Sequence, residues 1–170
     1  MKDYTGRIVD VACGKGVLIG EVAHYGNKTV LGIDMAEDQI AVAKATGMPL
    51  VRGNIFRMPF KDMVFDVSVC LNTLYNFNSL SDLKPILKEM VRIVRLGGKI
   101  IIDIRNRKNL LLYIKYWLHM KQGKHPTVSY LPDEMEYEMR ELGCRLVQYE
   151  VVGINNPYLI LDYVLVFEKE

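Results

Sequence analysis

Residues 8 to 16 read Ile8-Val9-Asp10-Val11-Ala12-Cys13-Gly14-Lys15-Gly16, and the rest of the chain is arranged around them. Ile8, Val9 and Val11 form a short β-branched run suited to a strand buried on both faces. The small residues from Ala12 to Gly16 make a turn, after which Val17, Leu18, Val22 and Ala23 recur at helical spacing. Strand, glycine turn and helix together aim backbone N–H groups at a ligand's polar end. Small residues suit that turn because a Cβ would hold the ligand off the backbone. Asp10, at the strand end, argues against a phosphate there. Its carboxylate would repel a pyrophosphate and attract a cationic or amine-bearing group.

The stretch from Asp10 to Gly16 resembles motif I of the class I S-adenosylmethionine-dependent methyltransferases, Asp/Glu-x-Gly-x-Gly-x-Gly, with Ala12 in place of the first glycine. The resemblance implies an α/β fold, a three-layer α/β/α sandwich. Its Rossmann-like sheet would have seven mostly parallel strands, with an antiparallel strand near the C-terminus. It implies S-adenosylmethionine as cofactor and S-adenosylhomocysteine as product, with Asp10 near the methionine amine. Ala12, Cys13, Gly14, Lys15 and Gly16 would then lie along the cofactor's backbone-like end.

Further along the chain, Thr29 to Ile33 reads as a second strand ending at Asp34, eighteen positions beyond Gly16. That is close to the roughly 20 residues at which an acid meets a ribose in nucleotide folds. A carboxylate suits a 2′,3′-diol because both oxygens accept hydrogen bonds. Met35 follows and is expected to pack on an adenine face. Ala36 to Ala45 reads as a helix stopped by Gly47-Met48-Pro49, and Leu50 to Arg52 as a third strand. Gly53-Asn54-Ile55 stands where the resembled family often carries Gly-Asp-x. By that resemblance Asn54, whose amide oxygen also accepts, and Ile55 border the adenine.

Phe65 to Leu71 resembles the family's strand four, and Leu71 completes the expected cofactor-binding set. In open α/β sheets the ligand sits beyond the carboxyl ends of the strands, where strand order reverses. Strands one and four flank that point in this topology. Asn72, Tyr75 and Asn76, just beyond strand four, are therefore the candidates for orienting the nucleophile. Ser81 to Val94 is a helix with Leu83, Ile86, Leu87, Met90, Ile93 and Val94 on its inner stripe and a cap signal at Ser81-Asp82. Leu96-Gly97-Gly98-Lys99 then leads to a fifth strand, Ile100 to Ile104, as in the family's Leu-x-Pro-Gly-Gly turn without its proline. Five motif-like segments in order are more specific than any one of them.

Residues 104 to 132 hold no acid but contain Arg105, Arg107, Lys108, Lys115, Lys121 and Lys124, interleaved with Leu110, Tyr113, Ile114, Trp117 and Leu118. This basic helix with aromatics reads as ordinary packing against the sheet, its charge balanced by the acids from Asp133 to Glu141. It also reads as a cap over the substrate pocket, as an anionic-substrate or nucleic-acid surface, or as a membrane-surface helix. Pro132 to Leu142 should be a helix, and Arg145 to Val152 and Leu159 to Phe167 the last two strands, paired antiparallel. Asn156-Pro157-Tyr158 resembles part of the Asn-Pro-Pro-Tyr signature of amino-group methyltransferases on nucleic acids. It follows strand six rather than strand four and is read as turn chemistry.

A 170-residue chain, half of it hydrophobic, accommodates one domain over residues 1–170, with 105–131 as a cap insertion. No apolar run is long enough to span a bilayer. Three cysteines without metal-like spacing suggest a reducing, cytoplasmic setting. The net charge of +2 gives no nucleic-acid signal. Met1 to Gly6 is too short for the helix that precedes strand one in the resembled family. The pocket should therefore be more open or covered by another element. A small-molecule acceptor is expected, nucleic-acid and protein acceptors stay open, and the aromatic helix suggests a homodimer. The rival readings are a non-catalytic S-adenosylmethionine-binding or interaction module and a nicotinamide dehydrogenase. The latter would need glycine where Ala12 and Val17 stand.

Overall fold

Alternation along β-branched runs builds the sheet and assigns each side chain to one of two faces. The computed structural model describes residues 6–23, 28–45, 47–121 and 127–170. Among them the strands are β1 (Gly6–Val11), β2 (Lys28–Asp34), β3 (Leu50–Arg52), β4 (Phe65–Cys70), β5 (Val94–Arg105), β6 (Cys144–Gly153) and β7 (Ile160–Lys169). The helices are α1 (Val17–Ala23), α2 (Glu37–Ala45), α3 (Leu80–Ile93), α4 (Leu110–Lys121) and α5 (Pro132–Glu141). Strand order is β3-β2-β1-β4-β5-β7-β6. The pairs from β3 to β5 are parallel, while β7 runs antiparallel to both β5 and β6. The expected architecture is present.

Val9, Val11, Ile100, Ile102, Leu165 and Phe167 point to one face, where Leu83, Ile86, Leu87 and Met90 of α3 and Met135 and Met139 of α5 cover them. Ile8, Val67, Val69, Ile101 and Val166 point to the other, against Ile19 and Val22 of α1. Order therefore reverses between β1 and β4, whose carboxyl ends lie side by side through the Asp10–Val69 register. A ligand cleft opens at such a point.

Several boundaries differ from the sequence reading. Helix α3 is capped by Ser79, whose hydroxyl accepts from Asp82 N at 3.3 Å, rather than at Ser81-Asp82. Strand β5 starts at Val94 because Val94 pairs with Phe65 before a bulge, so the Gly97-Gly98 turn lies within the strand. Val17, which the helical spacing groups with Leu18, Val22 and Ala23, is exposed. The Asn156 turn is local, with Asn156 Oδ1 accepting from Tyr158 N at 3.0 Å. Of the stretch expected to be too short for a preceding helix, Met1 to Gly6, the first five residues lie outside the described residues, as does Lys124, and Gly6 begins β1.

Helix α4 does not lay its apolar stripe on the sheet. Leu112 is buried and Tyr116 half-buried, while Leu110, Leu111, Tyr113, Ile114, Trp117 and Leu118 are exposed. Nor do the acids of α5 neutralise it as a block. Glu134 meets Arg107 at 2.8 Å, but Glu138 pairs with Lys84 of α3 at 3.0 Å.

Candidate active site

The turn after β1 adopts left-handed backbone at Ala12 (φ 58°), Gly14 (φ 52°) and Gly16 (φ 78°). Ala12 takes a conformation that suits glycine, at a cost of about 1–2 kcal/mol. Cys13 N donates to Ile33 O at 3.1 Å, and the Cys13 side chain fills space left by Gly32, where a Cβ would fall 2.6 Å from Sγ. Cys13 thus joins the turn to β2. Burial pushes its thiol up to about 12, so it stays protonated.

Asp34, at the end of β2, is buried beside this turn. Its Oδ2 accepts from Gly14 N and its Oδ1 from Ala36 N, each at 2.8 Å. Each oxygen keeps a lone pair for a further donor, so the carboxylate can still receive two hydroxyl groups. Met35, next to it, is exposed. Asn54 follows β3, and its Oδ1 accepts from Phe56 N at 2.9 Å. Ile55 is buried in the core.

A cavity of about 430 Å³ opens over the ends of β1 and β4. That volume falls in the range of small-ligand sites, roughly 300–1,000 Å³. Asp10, Ala12, Cys13, Gly14, Leu71 and Asn72, all expected site residues, line it. Lys15 is exposed, and Gly16 is buried against Met48 and Ala43; neither lines the cavity. Asp34, Met35, Asn54 and Ile55 lie outside the lining, at the ends of β2 and β3, the positions reached by a ligand extending across the sheet.

Asp10 is the electrostatic centre of the cavity. It is 4% exposed, and among the described residues none donates a hydrogen bond to its carboxylate. Burial, followed by repulsion from Asp34, raises its pKa from 3.8 to about 7. A buried acceptor without a donor, facing a cavity, calls for a cationic ligand group. The α-ammonium of a bound amino-acid moiety meets that need.

The acceptor side is a second polar cluster. Asn72, with φ 56°, donates its backbone N–H to Asp103 Oδ1 at 2.8 Å. Asp103 is buried on β5, and burial pushes its pKa up. Arg105 forms an ion pair with Asp162 on β7 and stacks its guanidinium 4.4 Å from the Tyr75 ring centroid. Tyr75 is half-buried, whereas Asn76 is exposed; neither lines the cavity with Asn72. Leu18, Glu21, Thr73, Asp103 and Arg105 were not singled out as site residues from sequence. Asp103 carried a readable signal, since it interrupts the run Ile100-Ile101-Ile102-Asp103-Ile104. Glu21 had a weaker one, four residues beyond Val17 on the same helical face.

Comparison with known proteins agrees with this geometry. Residues 9–102 match the family model described as "Methyltransferase domain". The chain is 29% identical over 175 aligned residues to the demethylmenaquinone methyltransferase of Bacillus mycoides (strain KBAB4), covering 88% of this chain and 70% of that protein. It spans about half (52%) of a similar demethylmenaquinone methyltransferase from Bacillus cereus (strain AH187). Among solved structures, a SAM-dependent methyltransferase from Methanosarcina mazei superposes with a TM-score of 0.78 at 20% identity, over 96% of this chain and 92% of that one. Magnesium protoporphyrin IX methyltransferase from Synechocystis PCC 6803, with bound SAH, gives 0.77 at 13% identity, over 96% and 74%. The fold and the glycine-turn cavity define a Rossmann-like methyltransferase. The chain belongs to the methyltransferase-domain family, class I, and its cofactor is S-adenosylmethionine.

Proposed function

We propose that this protein methylates a small-molecule acceptor admitted beside Asn72 and Thr73. The single observation that carries the reading is the carboxylate of Asp10, without a donor among the described residues, inside a cavity at the sheet's switch point. S-adenosylmethionine, when bound, supplies a methyl group on a positively charged sulfur, already a strong electrophile. Asp10 accepts from the ammonium, and the turn from Ala12 to Gly16 lets backbone approach the same end of the ligand. Asp34 uses its remaining lone pairs for the ribose hydroxyls. Met35, Asn54 and the backbone of Ile55 border the base, and Leu71 closes the cavity wall. Asn72, Tyr75 and Asn76 orient the acceptor atom, with Asp103 holding the Asn72 backbone and Arg105 steadying Tyr75. The protein's contribution is alignment of nucleophile, methyl carbon and sulfur.

A small acceptor is supported by the cavity's size and by relatives named for methylating demethylmenaquinone and magnesium protoporphyrin IX. We read residues 1–170 as one domain with 105–131 inserted as a covering element. A reducing cytoplasmic setting is supported by three cysteines that are free and buried. The test is calorimetric titration with S-adenosylmethionine and S-adenosylhomocysteine, with Asp34→Ala as control, followed by an acceptor screen that measures S-adenosylhomocysteine release. Micromolar binding lost in the variant, with turnover on a small acceptor, is the expected result. Absence of binding to the folded protein overturns the cofactor assignment. Binding without turnover on any small molecule, nucleic acid or protein favours a non-catalytic module.

A further inference from the structure

The outer face of α4 is a feature that the methyl-transfer site leaves unused. At 100° per residue, Leu110, Leu111, Tyr113, Ile114, Trp117 and Leu118 occupy an arc of roughly 160°. All six are exposed, whereas Leu112 and Tyr116 turn inward. The helix is thus amphipathic in the reverse sense to a core helix. Its base is tied to the turn between β6 and β7. Asn106 Nδ2 donates to Pro157 O at 2.8 Å and to Ile160 O at 3.0 Å, and Asn109 Nδ2 donates to Ile160 O at 2.9 Å. That turn carries two further exposed apolar side chains, Ile154 and Tyr158, at 65% and 66%.

We propose that this combined face docks the protein on an anionic lipid bilayer. Charge decides among possible partners. No Asp or Glu occurs from Asn106 to Leu131, or from Val151 to Leu161, while Lys115 borders the arc and Lys121 stands at its C-terminal end. Lys121 Nζ lies 4.0 Å from the Trp117 ring centroid, so the cation rests on the face of the aromatic side chain. Apolar side chains framed by lysines, with aromatics at the boundary, match the layered polarity of an interface of acyl chains and anionic headgroups. A second copy of the chain fits less well, because two such faces would bring lysines together with no acid to receive them. The same element turns Tyr116 towards Arg105 and Tyr75, so docking would set α4 between the lipid surface and the acceptor side of the site.

Trp117 is the chain's one tryptophan, which makes the face its own reporter. The experiment adds vesicles of phosphatidylcholine with phosphatidylglycerol, or of phosphatidylcholine alone, to the full chain and follows Trp emission and co-sedimentation. A blue shift and sedimentation on the anionic vesicles, weakened by salt, are expected. Ile114→Glu should abolish both while retaining S-adenosylhomocysteine binding, which shows that it folds. Lys115→Gln should weaken vesicle binding roughly fivefold, the effect of one surface cation near an anionic leaflet. Absence of binding to anionic vesicles, or binding indifferent to Ile114→Glu, overturns the proposal. A dimer by light scattering that Ile114→Glu converts to monomer assigns the face to a second copy instead. Vesicle binding is read without cofactor or acceptor, so its failure is distinct from failure of the methyltransferase reading.

Discussion

Replacing Asp10 with Asn should stabilise the protein at pH 8 while weakening its hold on the cofactor. In the folded chain the carboxyl is 4% exposed and titrates at about 7 rather than 3.8, because it is buried and faces Asp34. A shift of about three units at about 1.4 kcal/mol each makes the ionised form cost about 4 kcal/mol of stability. The sign follows from proton binding. Between pH 4 and 7 the native state holds more protons at this site than the unfolded chain does. Its contribution is therefore most favourable below pH 4, is lost as pH rises to about 7, and is flat above that. The Asn amide is neutral at every pH but brings two N–H donors where the protonated carboxyl has one O–H, and the additional unpaired donor costs about 1–3 kcal/mol. The net gain at pH 8 should be about 2 kcal/mol and should vanish near pH 5, as measured by urea unfolding of both proteins at the two pH values. S-adenosylhomocysteine should bind the variant about 10- to 100-fold more weakly, corresponding to about 1.5–3 kcal/mol for a hydrogen bond between charged groups. A variant no more stable than wild type at pH 8, or equally stabilised at both pH values, would refute Asp10 as an uncompensated buried charge.

The same group makes wild-type binding pH-dependent. Below pH 7 affinity for S-adenosylhomocysteine should fall about tenfold per unit, since one proton must leave Asp10. Calorimetry at pH 6 in buffers of different ionisation enthalpy should register release of about one proton, and a flat profile would contradict this. Gly98→Ala would set a Cβ 2.7 Å from Asp66 O and 2.9 Å from Arg95 O, both backbone atoms that cannot swing aside. It should cost about 3 kcal/mol in chemical denaturation, where a cost under about 1 would mean that the bulge relaxes. Ala12→Gly relieves left-handed strain of about 1–2 kcal/mol while adding about 0.4–1 kcal/mol of unfolded-state entropy. A slightly raised melting temperature is expected, and a marked fall would show that the Ala12 methyl matters more for packing than its backbone does for strain.

Much of the fold was legible because its signals are local. The β-branched runs at Ile8–Val11 and Ile100–Ile104 and the stop at Gly47-Met48-Pro49 act within a few residues of themselves. The boundaries that moved depended on partners elsewhere: β5 begins at Val94 because Phe65, 29 positions earlier, pairs with it. In the site, the cluster of Asp10 with Ala12 to Gly14 was readable as a contiguous motif. Glu21, Thr73 and Arg105 were harder to see, because residues so widely spaced become neighbours only when the strand ends are aligned. Arg105 in particular becomes a site residue through Tyr75 and Asp162, 30 positions before it and 57 after it.

The sequence by itself determined that a strand, a glycine turn and a helix would form, that Asp10 would stand at the strand's end, and that Asp34 would end the next strand. Short-range sterics and hydrophobic period suffice for that. Only the tertiary structure decided that Asp10 would find no donor among the described residues, that Gly14 N would be committed to Asp34, and that α4 would turn its apolar arc outward. Each of these depends on which distant group occupies the space beside it. For α4, a 3.6-residue period specifies that one face is apolar, and only packing decides whether that face is covered.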